Sequence, residues 1–146
     1  MPLQEENKIQ FHYLTTPFSF SNRTRLKLFL LDIFKKEKKQ VEKINYVFCN
    51  DEYLLKINKS YLNHDTYTDI ITFELSEKGD PIIADIFISI ERVKENAATF
   101  NTSFSKELQR VIFHGALHLC GYKDKKEKEK AFMRKQEEKY LNLYFG

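Results

Sequence analysis

The sequence HGALHLCGYKD, residues 114–124, decides how the rest of the chain is interpreted. His114 and His118 are four residues apart, so on a helix both imidazoles lie on one face, one turn apart. Gly121 follows three residues later, where a helix can end through a left-handed residue. Beyond that turn, Asp124 can return toward the histidines. The stretch therefore predicts a metal site made of His114, His118 and Asp124, which leaves a tetrahedral zinc one position for water.

Two alternatives to a metal site also fit residues of this stretch. The first is that His114 and His118 are core histidines with satisfied hydrogen bonds, and a pair at helical spacing before a glycine and an acidic residue disfavours it. The second is a protease, because the spacing matches the metzincin pattern H-E-x-x-H-x-x-G-x-x-H. Gly115 stands where those proteases have their glutamate base, which disfavours peptide hydrolysis. Zinc is the first choice for two imidazoles and one carboxylate, with nickel or manganese as alternatives.

The rest of the chain alternates strand-like and helix-like segments. Alternating apolar residues predict strands at 9–14, 41–49, 70–75 and 82–90. Apolar residues at helical spacing predict five helices. The first runs from a cap at Ser21 or Asn22 to about Lys39, and the fourth from a cap at Ser103 or Ser105 to 120. The others run from 50–51 to about 61, over about 91–100 and over 125–144. The strand at 82–90 is apolar on both faces and is therefore predicted to be central, with a hairpin before it. We expect one domain, residues 1–146, of the α/β (α+β) class, with a mixed, mostly parallel four-stranded sheet, about five helices and a zincin-like metal helix.

Composition places the chain among globular proteins. Its 146 residues are 42% hydrophobic and 31% charged, and the formal net charge of +3 is too small to indicate nucleic-acid binding by itself. The two cysteines, Cys49 and Cys120, show no pairing pattern, which favours a reducing compartment. The sequence contains no signal-peptide pattern and no apolar run of membrane-spanning length, so we expect a cytoplasmic protein that does not bind a membrane.

Three blocks of the sequence resemble one family. Residues 114–124 resemble the signature H-G-x-L-H-L-x-G-Y-D-H of the YbeY-type rRNA-maturation endoribonucleases. Residues 68–73, TDIITF, are similar to that family's T-D-V-L-S-F, and residues 84–89, ADIFIS, to its G-D-I-x-I-S. The resemblance implies an α/β fold and a zinc-dependent endoribonuclease, specific for single-stranded RNA, that acts in 16S rRNA 3′-end maturation and ribosome quality control. It also implies rRNA and the small ribosomal subunit as partners and a cytoplasmic location, and it leaves the oligomeric state open.

The chain departs from the family pattern at two positions. Asp124 takes the place of the family's third histidine, and it can still coordinate a metal. Leu62 stands where the family often has an arginine that is thought to help catalysis or RNA contact, and the nearby cations by sequence are Lys59, His64 and Arg92. These departures keep a second function open, that of a non-catalytic ribosome-assembly factor with a structural metal.

The catalytic base is not identified by the sequence. Asp85 and Asp69 are its candidates, although a structural partner for Asp85 and a turn-capping role for Asp69 compete with catalysis. Asp85 is equally expected to hydrogen-bond a ligating histidine. Glu107 lies on the same helix stripe as His114, and we favour helix-start electrostatics over ligation for it. For Tyr122, packing under the turn is favoured over stacking on an RNA base.

Overall fold

The computed structural model describes residues 5–14, 22–61 and 68–146. After a short 3-10 helix at Glu5–Lys8, the elements are β1 (Ile9–Tyr13), α1 (Arg23–Lys36), β2 (Val41–Cys49), α2 (Asp51–Tyr61), β3 (Ile70–Glu74), β4 (Ile82–Ser89), α3 (Ile90–Thr99), α4 (Phe104–Leu119) and α5 (Glu127–Phe145). The strands form one sheet in the order β1-β2-β4-β3. β1 and β4 each run parallel to β2, whereas β3 is antiparallel to β4. The predicted mixed, mostly parallel sheet with five helices is therefore confirmed.

The core lies mainly on one face of the sheet. Ile44, Tyr46 and Ile86 are fully buried there because alternate residues of a strand point to the same side. The Tyr46 hydroxyl donates a hydrogen bond to the carbonyl of Ile112, which ties α4 to the centre of β2 at 2.9 Å. The opposite face carries a smaller cluster, in which Leu54 of α2 packs with its neighbours. This division places α4 directly against the sheet.

Helix α4 is held at both ends by hydrogen bonds that its sequence predicts. The Ser103 hydroxyl is its N-cap and accepts from the backbone N–H of Lys106 at 3.0 Å, so Ser103 caps the helix rather than Ser105. At the other end Gly121 has φ +104° and donates its N–H to the carbonyl of His118 at 3.0 Å. Tyr122 N–H bonds the carbonyl of Leu117 at 3.1 Å, which completes a Schellman ending. The predicted left-handed glycine after the helix is thus confirmed, and it fixes where the chain turns toward Asp124.

Gly115 lets α4 approach the sheet closely. A Cβ atom at this position would lie 3.0 Å from Ile70 Cδ1 and 3.3 Å from Ile86 Cδ1. A larger side chain would therefore displace the strands or push the helix away. The position that carries the glutamate base in metzincins faces apolar side chains here, which agrees with the expectation against a protease mechanism.

Helix α1 ends earlier than predicted. We expected it to reach about Lys39, but its last residue is Lys36, because Lys38 adopts a left-handed conformation with φ +60°. Lys38 N–H bonds the carbonyl of Lys35 at 3.0 Å and Lys39 N–H bonds that of Phe34 at 2.8 Å, so this helix also ends in a Schellman motif. Asn22 occupies the N-cap position without a side-chain capping bond, and Ser21, the second predicted cap, is outside the described residues.

Helix α5 closes the fold along α4. Its inward stripe is apolar except for one glutamate, Glu137, which is 2% exposed. Met133 and Tyr140, each one turn away from Glu137, are buried beside it. Within the described ranges, no helix is both long and apolar enough to cross a membrane.

Candidate functional site

A cleft of about 260 Å³ lies between β3 and α4. Its lining residues come from the start of β3, from one face of α4 and from the turn after that helix. They are Thr68, Asp69, Ile70, Thr72, Arg110, Val111, His114, His118 and Asp124. The cleft therefore brings together the three predicted metal ligands and one of the two candidate catalytic carboxylates.

His114 is held in the cleft by contacts at both ring nitrogens. Its Nδ1 lies 2.6 Å from a carboxylate oxygen of Glu137, and its Nε2 lies 3.1 Å from Oδ2 of Asp124. Burial lowers the pKa of His114, but the hydrogen bond and charge of Glu137 and the charges of Asp124 and Asp69 together outweigh burial, so this pKa lies above its ordinary value. Glu137 thus orients the ring with Nδ1 as donor, and Nε2 faces the cleft.

Arg110 joins Glu137 to a second buried glutamate. Its Nε and Nη2 donate to the two oxygens of Glu107 at 3.0 and 2.5 Å, and its Nη1 donates to Glu137 at 2.9 Å. Burial raises the pKa of Glu137, yet His114 and Arg110 together hold it below its ordinary value. A buried carboxylate is stable only with such partners, because an isolated charge loses its hydration. Glu107 therefore acts through this ion pair as well as through its place in the first turn of α4.

Asp69 lines the cleft opposite α4. Burial raises the pKa of its carboxyl group, and the nearby charges of Arg110 and His114 oppose that rise only in part. One carboxylate oxygen accepts a hydrogen bond from Asn96 Nδ2 at 3.4 Å. The backbone carbonyl of Asp69 accepts from Ser89 N–H at 3.0 Å, so the residue also ends the β3–β4 ladder. The side chain is thus placed to take part in chemistry while its backbone has a structural role.

Asp85 lies away from the cleft, on the far face of the sheet. It pairs in register with Asn45 of β2, whose Nδ2 donates to Asp85 Oδ1 at 3.1 Å. Asn45 Oδ1 lies 2.9 Å from His12 Nε2, so this polar chain crosses β1, β2 and β4. Of the three roles considered for Asp85, the structure shows a structural partner, and it does not bring this carboxylate to His114 or His118.

The cation of the cleft is Arg110, which the sequence interpretation did not single out. Leu62 and His64 are outside the described residues. Arg92 lies on α3 and forms ion pairs with Asp51 at 3.0 Å and with Glu95 at 3.2 Å. The sequence spacing could have identified Arg110 as a cleft residue, because it lies one helical turn before His114 on the same face. Glu137 could have been identified as well, because it is the single acidic residue on the apolar stripe of α5.

Tyr122 and Cys120 are part of the packing around the turn after α4. The Tyr122 hydroxyl donates to Glu37 at 2.8 Å, and its ring contacts Phe132 with centroids 5.5 Å apart. This is the packing role that was favoured for Tyr122. Cys120 is half-buried against the core, and burial raises the pKa of its thiol to about 12.

The donor atoms of the cleft fit a divalent metal in type and only partly in arrangement. Among the residues that the structure describes, no three His, Cys, Asp or Glu side chains are grouped so that they could hold an ion. His114 and Asp124 are in direct contact, however, and His118 lines the same cleft. Two imidazoles and a carboxylate are a donor set that zinc accepts.

The fold and the cleft define a class of mixed α/β protein in which a buried helix presents histidines and an arginine beside an antiparallel edge strand. The family model described as Endoribonuclease YbeY matches residues 10–144. The chain therefore belongs to the YbeY endoribonuclease family, and on that membership it is an endoribonuclease.

Relatives of known name cover nearly the whole chain. Endoribonuclease YbeY of Cytophaga hutchinsonii is 48% identical over 139 residues, which are 95% of this chain and 97% of the relative. Endoribonuclease YbeY of Flavobacterium johnsoniae is 48% identical over 136 residues, 93% of this chain and 96% of the relative. The solution structure of TM1509 from Thermotoga maritima matches with a TM-score of 0.66 and 31% identity, and the match covers 93% of this chain and 89% of that one. The predicted family and fold are thereby confirmed.

Proposed function

We propose that the protein is a zinc-dependent endoribonuclease that cuts single-stranded RNA, with 16S rRNA 3′-end maturation and ribosome quality control as its role. Its substrate would be rRNA of the small ribosomal subunit, and it would act in the cytoplasm as a single domain of residues 1–146. Family membership supports the RNA substrate. The observation that supports a metal ion in the cleft is the contact of His114 with both Glu137 and Asp124.

The contact between His114 Nε2 and the Asp124 carboxylate is stable only with a positive charge between the two atoms. Because Nδ1 of His114 donates to Glu137, Nε2 of the neutral ring carries a lone pair. That lone pair and a carboxylate oxygen of Asp124, 3.1 Å apart, are both acceptors and repel one another unless a cation lies between them. A proton on Nε2 or a metal ion bound by both atoms satisfies the pair. The presence of His118 in the same cleft favours the metal.

His114, His118 and Asp124 would hold the zinc ion. When bound, the ion would lower the pKa of water and offset negative charge on phosphate oxygens. Asp124 is an anionic ligand, so it should moderate the acidity of that water relative to a neutral third ligand. Glu137 keeps the His114 ring in one orientation, which favours binding by reducing the freedom lost on coordination.

The remaining cleft residues act on the RNA and on protons. Arg110 lines the cleft, but all three of its guanidinium nitrogens donate to Glu107 or Glu137, so it would hold Glu137 against His114 rather than neutralise a phosphate. Asp69 would accept the proton of the attacking water, since its raised pKa brings the carboxylate closer to the working pH. Thr72 lines the same wall and offers a hydroxyl group for a hydrogen bond to the substrate, whereas the Thr68 hydroxyl already donates to the carbonyl of Ile70 at 3.3 Å.

The test is substitution of each proposed ligand. His114→Ala and His118→Ala should each lose bound zinc and abolish cleavage of a single-stranded RNA, and Asp124→Ala should weaken both. Zinc would be measured by mass spectrometry of the purified protein. His12→Ala is a matched control, because His12 lies on the far face of the sheet and pairs with Asn45.

Two outcomes would contradict the proposal. Cleavage that persists after stoichiometric loss of zinc would remove the metal from the mechanism. A nuclease-free preparation that binds zinc and ribosomal subunits yet never cuts RNA would favour an assembly factor with a structural metal.

A further inference from the structure

Apart from the proposed zinc ion, the cleft provides little attraction for a polyanion. Asp69 and Asp124 bring two carboxylates to its wall, and Arg110 is already paired with two buried glutamates. A single strand of RNA carries a negative phosphate at every nucleotide, and its binding depends on neutralising several of them. The cations that hold the strand must therefore lie beside the cleft.

A second, larger groove adjoins the cleft and shares His118 with it. This groove has a volume of about 760 Å³ and extends from the C-terminal end of α4 to the turn after α1 and the hairpin between β3 and β4. We call it the lysine groove. It is lined by Lys38, Lys39, Gln40, Glu74, Ser76, Lys78, Gly79, Asp80, Pro81, Ile82, His118, Leu119 and Gly121. Residues of β3 and α4 line both the cleft and the groove, and His118 lines both.

Three exposed lysines of the groove are available to phosphates. Lys38, Lys39 and Lys78 form no ion pair with any residue in the described part of the chain. Glu74 and Asp80 also line the groove, so its formal side-chain charge is positive by three lysines against two carboxylates. Unlike Arg110 in the cleft, the three lysines therefore have no ion-pair partner among the described residues.

The lysines are carried by ordered turns. Lys38 and Lys39 belong to the Schellman ending of α1, whose backbone hydrogen bonds measure 3.0 and 2.8 Å. Lys78 precedes Gly79, which has φ +95°, in a turn closed by a 3.1 Å bond from Asp80 N–H to the carbonyl of Glu77. Fixed backbone positions lower the entropy that is lost when the side chains contact a strand.

We propose that the lysine groove binds the phosphates of single-stranded RNA that flank the phosphate in the cleft. This inference rests on the proposed function. The groove positions the strand and takes no part in bond cleavage, so it contributes to substrate affinity rather than to the chemical step. Its contacts are with the backbone, and they are therefore independent of base sequence.

The test is a triple variant, Lys38→Gln with Lys39→Gln and Lys78→Gln, beside a control of equal charge change. The control triple is Lys56→Gln, Lys128→Gln and Lys135→Gln, three exposed helix lysines that line neither the cleft nor the groove. Binding of a fluorescein-labelled 2′-O-methyl oligouridylate would be followed by fluorescence anisotropy across a series of potassium chloride concentrations. A third variant, with arginine at the same three groove positions, preserves the charge.

The groove triple should bind the oligonucleotide about tenfold more weakly at low salt. The slope of its log affinity against log salt should be shallower by about 2, because each lost contact with a single-strand phosphate lowers the slope by about 0.7. The control triple should keep most of the wild-type affinity and slope, and the arginine variant should keep both. In cleavage assays the groove triple should raise KM and leave kcat unchanged. Equal affinities and slopes for the two glutamine triples would overturn the inference.

Failure of the inference differs from failure of the proposed function. If the zinc-loaded wild type cuts single-stranded RNA while the two glutamine triples remain indistinguishable, only the groove is excluded. If the wild type binds the oligonucleotide through the groove lysines and never cuts RNA, the groove stands as a binding site and the endonuclease mechanism fails.

Discussion

Nδ1 of His114 on α4 lies 2.6 Å from a carboxylate oxygen of Glu137 on α5, although 23 residues separate the two in sequence. Glu137 is 2% exposed and takes its second partner from Arg110. The contact therefore links the orientation of a proposed metal ligand to the packing of the last helix. It makes α5 part of the candidate site as well as part of the core.

Glu137→Gln should weaken zinc binding by about 10- to 100-fold, because the amide no longer supplies the charge that fixes the His114 ring and strengthens its basicity. Zinc affinity would be measured by competition with a chelator of known affinity. Glu138→Gln is the matched control, since Glu138 is the adjacent residue of α5 and is exposed. Equal zinc affinities for the two variants would show that the contact has no influence on the metal.

Asp69→Asn should lower kcat for RNA cleavage by about 10²-fold or more and leave the zinc content unchanged, because the amide cannot accept a proton from water. The variant keeps the side-chain size and the backbone bond to Ser89. Asp85→Asn is its control, since Asp85 is hydrogen-bonded to Asn45 on the far face of the sheet. Loss of zinc together with activity in Asp69→Asn would instead assign Asp69 to metal binding.

The fold was predictable because its signals are local. Strand β4 is apolar on both faces, and this pattern placed it in the interior of the sheet, where it pairs with β2 and β3. His114 and His118 were recognisable for a similar reason, since residues four apart share one face of a helix. The end of α1 was missed because Lys38 adopts a left-handed conformation that glycine or asparagine usually signals.

The buried ion network was harder to predict because it depends on how α5 packs on α4. Arg110 and Glu137 are 27 residues apart, and nothing local to either one names its partner. Glu137 was not singled out from the sequence, although its place on the apolar stripe of α5 is a signal for burial, and a buried carboxylate requires a partner. Sequence spacing could not identify Arg110 as the partner of Glu137. It does relate Arg110 to His114, one helical turn later on the same face, and so to the cleft.

Gly115→Glu should destabilise the protein by more than about 3 kcal/mol, because it buries a charge against Ile70 and Ile86 at the interface of α4 and the sheet. Gly115→Ala should cost much less, since its Cβ meets only methyl groups of Ile70 and Ile86 at 3.0–3.3 Å and alanine favours the helix by about 1 kcal/mol. Chemical denaturation of both variants checks the difference. A stable Gly115→Glu protein would contradict the close approach of α4 to β3 and β4.

Glu129→Gln should reduce stability at neutral pH and have no effect in acid. The Glu129 carboxylate accepts from the backbone N–H groups of Lys126 at 2.9 Å and Lys125 at 3.2 Å, at the start of α5. The bond from Lys126 N–H is the main cause that holds the pKa of Glu129 below its ordinary value. Lys126 occupies the N-cap position and its side chain has no acceptor, so the capping bond at this end is the one that Glu129, at N3, accepts from the N-cap N–H.

The sign of the pH dependence follows from that lowered pKa. A carboxyl whose pKa is lower in the folded protein adds stability above its unfolded value, about 4.3, and the contribution disappears as the pH falls through the folded value. The difference in Tm between wild type and Glu129→Gln should therefore be present at pH 7 and vanish in acid. Glu127→Gln is the control, because Glu127 lies in the same first turn and shares the helix-dipole effect. A Tm difference between wild type and Glu129→Gln that persists unchanged in acid would show that the amide acts through packing. Equal pH profiles for Glu129→Gln and Glu127→Gln would show that the helix dipole alone explains the pH dependence.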